Sequence, residues 1–314
     1  MIMPSGVQHL TTNNNNREET MSSLAELTLT EIAKQFFVSP EFYRTKEGTQ
    51  HDYRRFIAVM LEDMGSIPVA ELRNIHAKDA YEQWLLRGTH MANHIVTAST
   101  RLWNYALSEE LVDRANPFVV IKRVATKPRK VVWTRDQVTT FLAQAYQKFE
   151  YRNVGLIVQM SYEWGQRIGD MRLLTWDSLD LDQQRVDIEQ SKRGASVHLP
   201  IADDLTLMLL QQKEDFDFQE LVVPHVVPVN GVYLSYGLKY LSYLGRKIIQ
   251  DAGLPDHLRM MDLRRTATTE MVEAGVSLPQ IMAVTGHTNP QSLMPYMKNT
   301  FKSACNALRT REGK

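Results

Sequence analysis

The sequence has little of several things, and each shortage excludes a class of protein. A single cysteine, Cys305, stands in 314 residues, so no disulfide closes within the chain and a reducing compartment is expected. No apolar run approaches the ~18 residues of a membrane span, and residues 1–20 carry neither an apolar signal core nor a basic leader. Neither a membrane protein nor an exported one is expected. Net charge is also missing: 36 Lys and Arg balance 36 Asp and Glu, a sum that by itself speaks against a nucleic-acid partner. Acidic residues form no metal-binding cluster. His90 and His94 are spaced to share a helix face, but no third ligand or glutamate pattern accompanies them, so surface histidines are expected there and no metal site. No internal repeat is present.

What is present is length and an ordinary globular composition. At 43% hydrophobic and 23% charged residues, the chain is longer than the ~250 residues at which a single core stops growing, and two domains are expected. Residues 1–23 are polar, include the run Asn13-Asn14-Asn15-Asn16 and lack apolar periodicity, so they read as a disordered tail. Residues 24–117 read as a helical domain. Leu29, Ile32, Ala33 and Phe36 repeat at helical spacing, as do Tyr53, Phe56, Ile57, Met60 and Met64 up to the stop at Gly65. A third helix covers about 76–87, and a fourth begins near Thr89 with Ile95, Ala98, Leu102 and Tyr105 inward.

Residues 118–132 show little periodicity and read as an interdomain linker. Lys122, Arg123, Lys127, Arg129 and Lys130 fall there within nine residues that hold no acid, and five basic residues face Glu312 alone after Tyr296. Distribution therefore outweighs the zero sum, and the linker cations are candidate phosphate contacts. A second domain, 133–300, opens on Thr134-Arg135-Asp136-Gln137, a capping-box sequence. Its next helix, about 153–164, is apolar nearly all round and is expected to be central. Val186 to Glu189 and Ser196 to Pro200 alternate around Ser191-Lys192-Arg193-Gly194, a β-hairpin with a basic tip. Helices are expected at about 204–214, 233–252, 261–274 and 277–285, with a last helix and tail over 301–314. The fold class is mainly α with a small β-hairpin or sheet: a four-helix N-terminal domain, then a mixed α/β domain.

The chemistry gathers in the second domain. Arg167 in Gly165-Gln166-Arg167-Ile168-Gly169-Asp170, Lys192 at the hairpin tip, Arg264 in Met261-Asp262-Leu263-Arg264-Arg265, His287 after Gly286, and Tyr296 nine residues later form one set. Two guanidiniums can bind the non-bridging oxygens of a phosphodiester with paired hydrogen bonds, and a phenol can serve as nucleophile. These parts suit transfer of a phosphoryl group onto a protein hydroxyl. Each residue alone has an ordinary reading: Arg167 pairing with Asp170, Lys192 as a hairpin-tip lysine with Arg193 as the rival cation, Arg265 as a surface residue, Tyr296 as a packed aromatic.

In order and spacing these motifs resemble the tyrosine recombinases, the phage-integrase family that includes the Xer and Cre recombinases, and the resemblance covers nearly everything after Leu24. It implies that the four-helix domain binds core-site DNA and that the second domain is catalytic. It assigns Arg167, Arg264 and His287 to the scissile phosphate, Lys192 to the leaving 5′ oxygen as general acid, and Tyr296 to a 3′-phosphotyrosyl bond made without a cofactor. Asp170 would orient the first arginine. It further implies duplex DNA with short core sites as partner, a homotetramer on two sites with the segment Phe301 to Leu308 packing into a neighbour, room for accessory DNA-bending proteins, and a cytoplasmic, nucleoid-associated location. The family's usual His-x-x-Arg is broken by Met261, whose thioether donates no proton, so slower cleavage is expected; His257 would compensate only if its loop folded inward. The shortness of residues 1–23 implies no arm-binding domain. The function implied is a phage or mobile-element integrase, with an Xer-like multimer resolvase and a weakened DNA-binding regulator as alternatives.

Overall fold

The computed structural model describes residues 27–192, 194–296 and 301–312; the polar stretch 1–23 and Arg193 lie outside them. The chain divides into two compact units, one ending at Pro128 and the other beginning at Arg129. No helix among the described residues is long and apolar enough to cross a membrane.

The first unit is helical: α1 (Leu29–Val38), a one-turn α2 (Pro40–Tyr43), α3 (Glu47–Met64), α4 (Asn74–Leu86) and α5 (Thr89–Ser108). Thr28 and Glu31 cap α1 reciprocally. Leu29, Ile32, Ala33 and Phe36 then pack against Ile57, Met60, Trp84, Ile95 and Leu102 in one core. The expected linker is not free along its length. Phe118 and Ile121 join this core, Val124 accepts from Asn93 and donates to Tyr81, and the side chain of Asn116 holds the turn through Thr100, Asn104 and Phe118. The segment therefore follows the first unit as far as Val124, because two apolar side chains and three backbone groups find partners there.

The second unit begins with Trp133, buried at 2% exposure, and with the Thr134–Gln137 capping box, which starts α6 (Arg135–Tyr146). Helix α7 (Phe149–Glu163) is buried along Asn153 to Ser161, as its all-round apolar pattern requires. It approaches α6 so closely that a Cβ on Gly155 would meet Ala145 Cβ at 2.9 Å. A one-turn α8 (Ile168–Met171) follows, and then three antiparallel strands in the order β1 (Leu179–Asp180), β2 (Arg185–Glu189), β3 (Ser196–Pro200). Strand β1 adds an edge to the expected hairpin. In β2 and β3 alternation turns Val186, Ile188, Val197 and Leu199 inward.

After α9 (Asp203–Phe216) comes α10 (Leu238–Asp251), then α11 (Leu263–Glu273), α12 (Leu278–Thr285) and α13 (Phe301–Arg311). Helix α10 starts five residues later than its apolar pattern predicts, since Leu234 accepts from His225 and Arg172 ties down Ser235 and Tyr236. A 3₁₀ turn at Met260–Asp262 precedes α11. The protein is thus mostly helical with a small three-stranded sheet, and the sheet lies in the second unit.

Candidate active site

Arg167, Arg264, His287 and Tyr296 come from four separate stretches and meet in the second unit. Gly165, with φ +60, turns the chain after α7, so that Arg167 takes the N-cap position of α8. Arg264 lies in the first turn of α11 and is 8% exposed. Its guanidinium donates to the Gly165 carbonyl (3.2 Å) and to Gln166 Oε1 (3.5 Å), and faces His287 Nε2 at 3.4 Å. Helix α12 ends at Gly286 in the left-handed conformation, φ +67, and that reversal delivers His287.

Two contacts fix the histidine's tautomer. The Thr285 hydroxyl donates to the Ile281 carbonyl, so it accepts from His287 Nδ1, 2.6 Å away. A guanidinium only donates, so Nε2 presents its lone pair to Arg264. The Tyr296 ring lies 6.3 Å from the His287 ring, centroid to centroid, on a 3₁₀ turn, Met294–Tyr296, anchored by the fully buried Leu293. Arg265 places its guanidinium carbon 4.9 Å from the centre of the Tyr296 ring, a cation–π contact where the sequence suggested a surface residue.

Lys192 is exposed in the turn between β2 and β3. Asp170 links that turn to the arginine box: its carboxylate accepts from the amide and hydroxyl of Ser191 and lies 3.5 Å from the Arg167 guanidinium. Sequence reasoning missed two buried glutamines here. Gln166 donates to the carbonyls of Trp164 and Val284, and Gln190 donates to Gln166 Oε1 and to the Thr285 carbonyl. Arg167 donates to Gln190 Oε1 at 2.8 Å. The one available signal was position: 190 continues the inward alternation of 186 and 188.

Met261 is 74% exposed, three residues before Arg264. His257 is exposed, and its carbonyl accepts from Arg129, so its loop does not turn the imidazole inward. The basic cluster disperses. Lys122, Lys127 and Lys130 are exposed, and Arg123 donates to Thr97 on α5. Arg129, read as a phosphate contact, instead forms two 2.7 Å bonds to the buried Asp262; these hydrogen bonds hold its guanidinium above its usual range. A buried carboxylate needs a paired cation, and Arg129 supplies it. His94 stacks on Phe56, with ring centroids 5.0 Å apart, and burial pushes its imidazole below its usual value. Among the described residues no group of three or more His, Cys, Asp or Glu could hold a metal ion.

Several solved structures share this architecture. A lambda integrase dimer bound to a COC′ core site aligns over 94% of this chain and 82% of its own, with TM-score 0.73 and 16% identity. A lambda integrase tetramer bound to a Holliday junction aligns over 90% and 82%, with TM-score 0.71 and 16% identity. The Tn1549 transposon integrase in complex with transposon right end DNA aligns over 92% and 100%, with TM-score 0.69 and 19% identity. At these identities the likeness is one of fold. A search of curated protein sequences gives no match. The sequence itself matches the model of the phage integrase family over residues 132–303, more than half of the chain and the whole stretch from Trp133 to Tyr296 that holds the site, and the protein therefore belongs to that family of tyrosine recombinases.

Proposed function

We propose that Tyr296 cuts duplex DNA by attacking the scissile phosphorus in line with the bridging 5′ oxygen. The bond from phosphorus to the 5′ oxygen breaks as the bond to the phenol oxygen forms, leaving a 3′-phosphotyrosyl link and a free 5′-hydroxyl. One phosphodiester replaces another, so an incoming 5′-hydroxyl reverses the steps and reseals the strand. Arg167 and Arg264 hold the non-bridging oxygens, where charge accumulates. The phenol proton passes to the Nε2 lone pair of His287, whose protonated form then donates to the phosphate. Lys192 supplies the proton that the 5′ oxygen takes up.

The observation that carries this reading is the convergence of Arg264, His287 and Tyr296 beside the Arg167 box. Lambda integrase is described on a core site as a dimer and on a Holliday junction as a tetramer. By extension, four copies of this chain would act on two short core sites, and α13 would pack into a neighbour. The replacement of the usual histidine by Met261 supports a phage or mobile-element integrase over an Xer-type resolvase. The test is incubation with nicked suicide duplexes of the element's end sequences. A covalent protein–DNA adduct is expected from the wild type and none from Tyr296→Phe. An adduct that persists in Tyr296→Phe, or none from the wild type on any such duplex, overturns the reading.

A further inference from the structure

Position 190 directly follows β2 and continues the inward alternation of Val186 and Ile188, where an apolar side chain would satisfy the pattern. A glutamine stands there at 1% exposure, and burying an amide is costly unless its hydrogen bonds are made. Gln190 satisfies both its donors and its acceptor oxygen. Both N–H groups are spent, on Gln166 Oε1 at 2.7 Å and the Thr285 carbonyl at 2.8 Å, and its oxygen accepts from Arg167. The fit leaves no room nearby: a Cβ on Gly286 would fall 2.5 Å from Gln190 Nε2. The backbone of Gln190 also closes the turn, donating to the Ala195 carbonyl and accepting from the Gly194 amide, each at 2.9 Å. The next residue, Ser191, is tied to Asp170. Lys192 follows directly, exposed.

We propose that Gln190 is a positioning residue for Lys192: by clasping Gln166, Arg167 and Thr285 at the base of the β2–β3 turn, it fixes where the lysine delivers its proton. The inference rests on the reading of Lys192 as general acid. A lysine side chain is long and flexible, so its reach is set by where its backbone is held, and a misplacement of about 1 Å costs about 10²-fold in rate.

The experiment compares single-turnover cleavage of a nicked duplex with an ordinary scissile phosphodiester and of the same duplex with sulfur in place of the bridging 5′ oxygen. A thiol has a pKa near ~8.5 and leaves as a thiolate without a general acid. Gln190→Met keeps the side-chain length and deletes its hydrogen bonds; Gln190→Glu keeps an acceptor for Arg167 and loses the donors. Each is expected to cut the ordinary duplex about 10²-fold more slowly and the sulfur duplex nearly as fast as the wild type, with DNA affinity retained. If one variant fails to fold, the other decides. Equal losses on both duplexes, or no loss on either, overturn the proposal. Lys192→Ala separates it from its premise. If sulfur rescues Lys192→Ala but not the Gln190 variants, the positioning role alone falls. If sulfur does not rescue Lys192→Ala, the general-acid reading falls and the positioning role with it.

Discussion

Met261 and Arg264 lie three residues apart, across the passage from a 3₁₀ turn into α11, a spacing that brings side chains to one face. Met261 is exposed and Arg264 is buried, and a thioether stands where the resemblance leads one to expect an imidazole. A thioether is only a weak acceptor and donates no proton, so the proton transfer falls to His287, whose Nε2 also faces Arg264 and whose Nδ1 donates to Thr285. A second imidazole at 261 would take over the proton transfer without disturbing these contacts. Met261→His is expected to raise single-turnover cleavage by about tenfold or more, toward the ~10²-fold that a positioned acid or base supplies; an unchanged rate would show that residue 261 has no part in the proton transfer. At this scale the sequence was legible where a side chain carries its own chemistry. Arg167, Arg264, His287 and Tyr296 could be named from type and order. Gln166, Gln190 and Arg265 could not, because a glutamine or a second arginine acquires a role only from its partners. Gln190 meets Gln166 across 24 residues and Thr285 across 95.

Periodicity reports an element only when it lasts several turns. Helices α1, α3, α5 and α7 were legible for that reason, and a capping box marked the start of α6. The one-turn α2 and α8 and the two-residue β1 are shorter than any periodic signal, and tertiary contacts define them. Nor does a run of cations disclose the partner of Arg129, which is tied to the 3₁₀ turn at Met260–Asp262. Asp262 is 3% exposed in its side chain, against 37% for Arg129, and it also accepts from the Arg259 amide, so the pair pins the turn that leads into Arg264. Arg129→Ala is expected to destabilise the protein by about 2 kcal/mol, less than the ~3–5 kcal/mol of a fully buried pair because the guanidinium is partly hydrated. Urea denaturation monitored by Trp fluorescence reads this directly. A midpoint equal to that of the wild type would mean the ion pair does not hold the turn.

For the molecule as a whole, a net charge of zero conceals a local excess. Electrostatic attraction in physiological salt reaches only ~8 Å, so a phosphate backbone responds to the cations next to it and little to acids farther along the protein. Lys127 and Lys130 are exposed on either side of the division at Pro128, within a stretch that holds no acid. Each phosphate that such a lysine neutralises releases condensed counterions, which steepens the fall of affinity with salt by about 0.9 in the log–log slope. Lys127→Ala and Lys130→Ala are each expected to flatten that slope by up to about 0.9, and the double variant by up to about 1.8, measured by fluorescence anisotropy on a core-site duplex from 50 to 200 mM salt. Stability should not change, since neither side chain fills a core. Arg129→Ala should show the opposite pattern, losing stability with little effect on the slope, because its charge is already spent on Asp262. A slope unchanged in the double lysine variant would remove this segment from the DNA interface and leave the affinity to the surfaces of the two units.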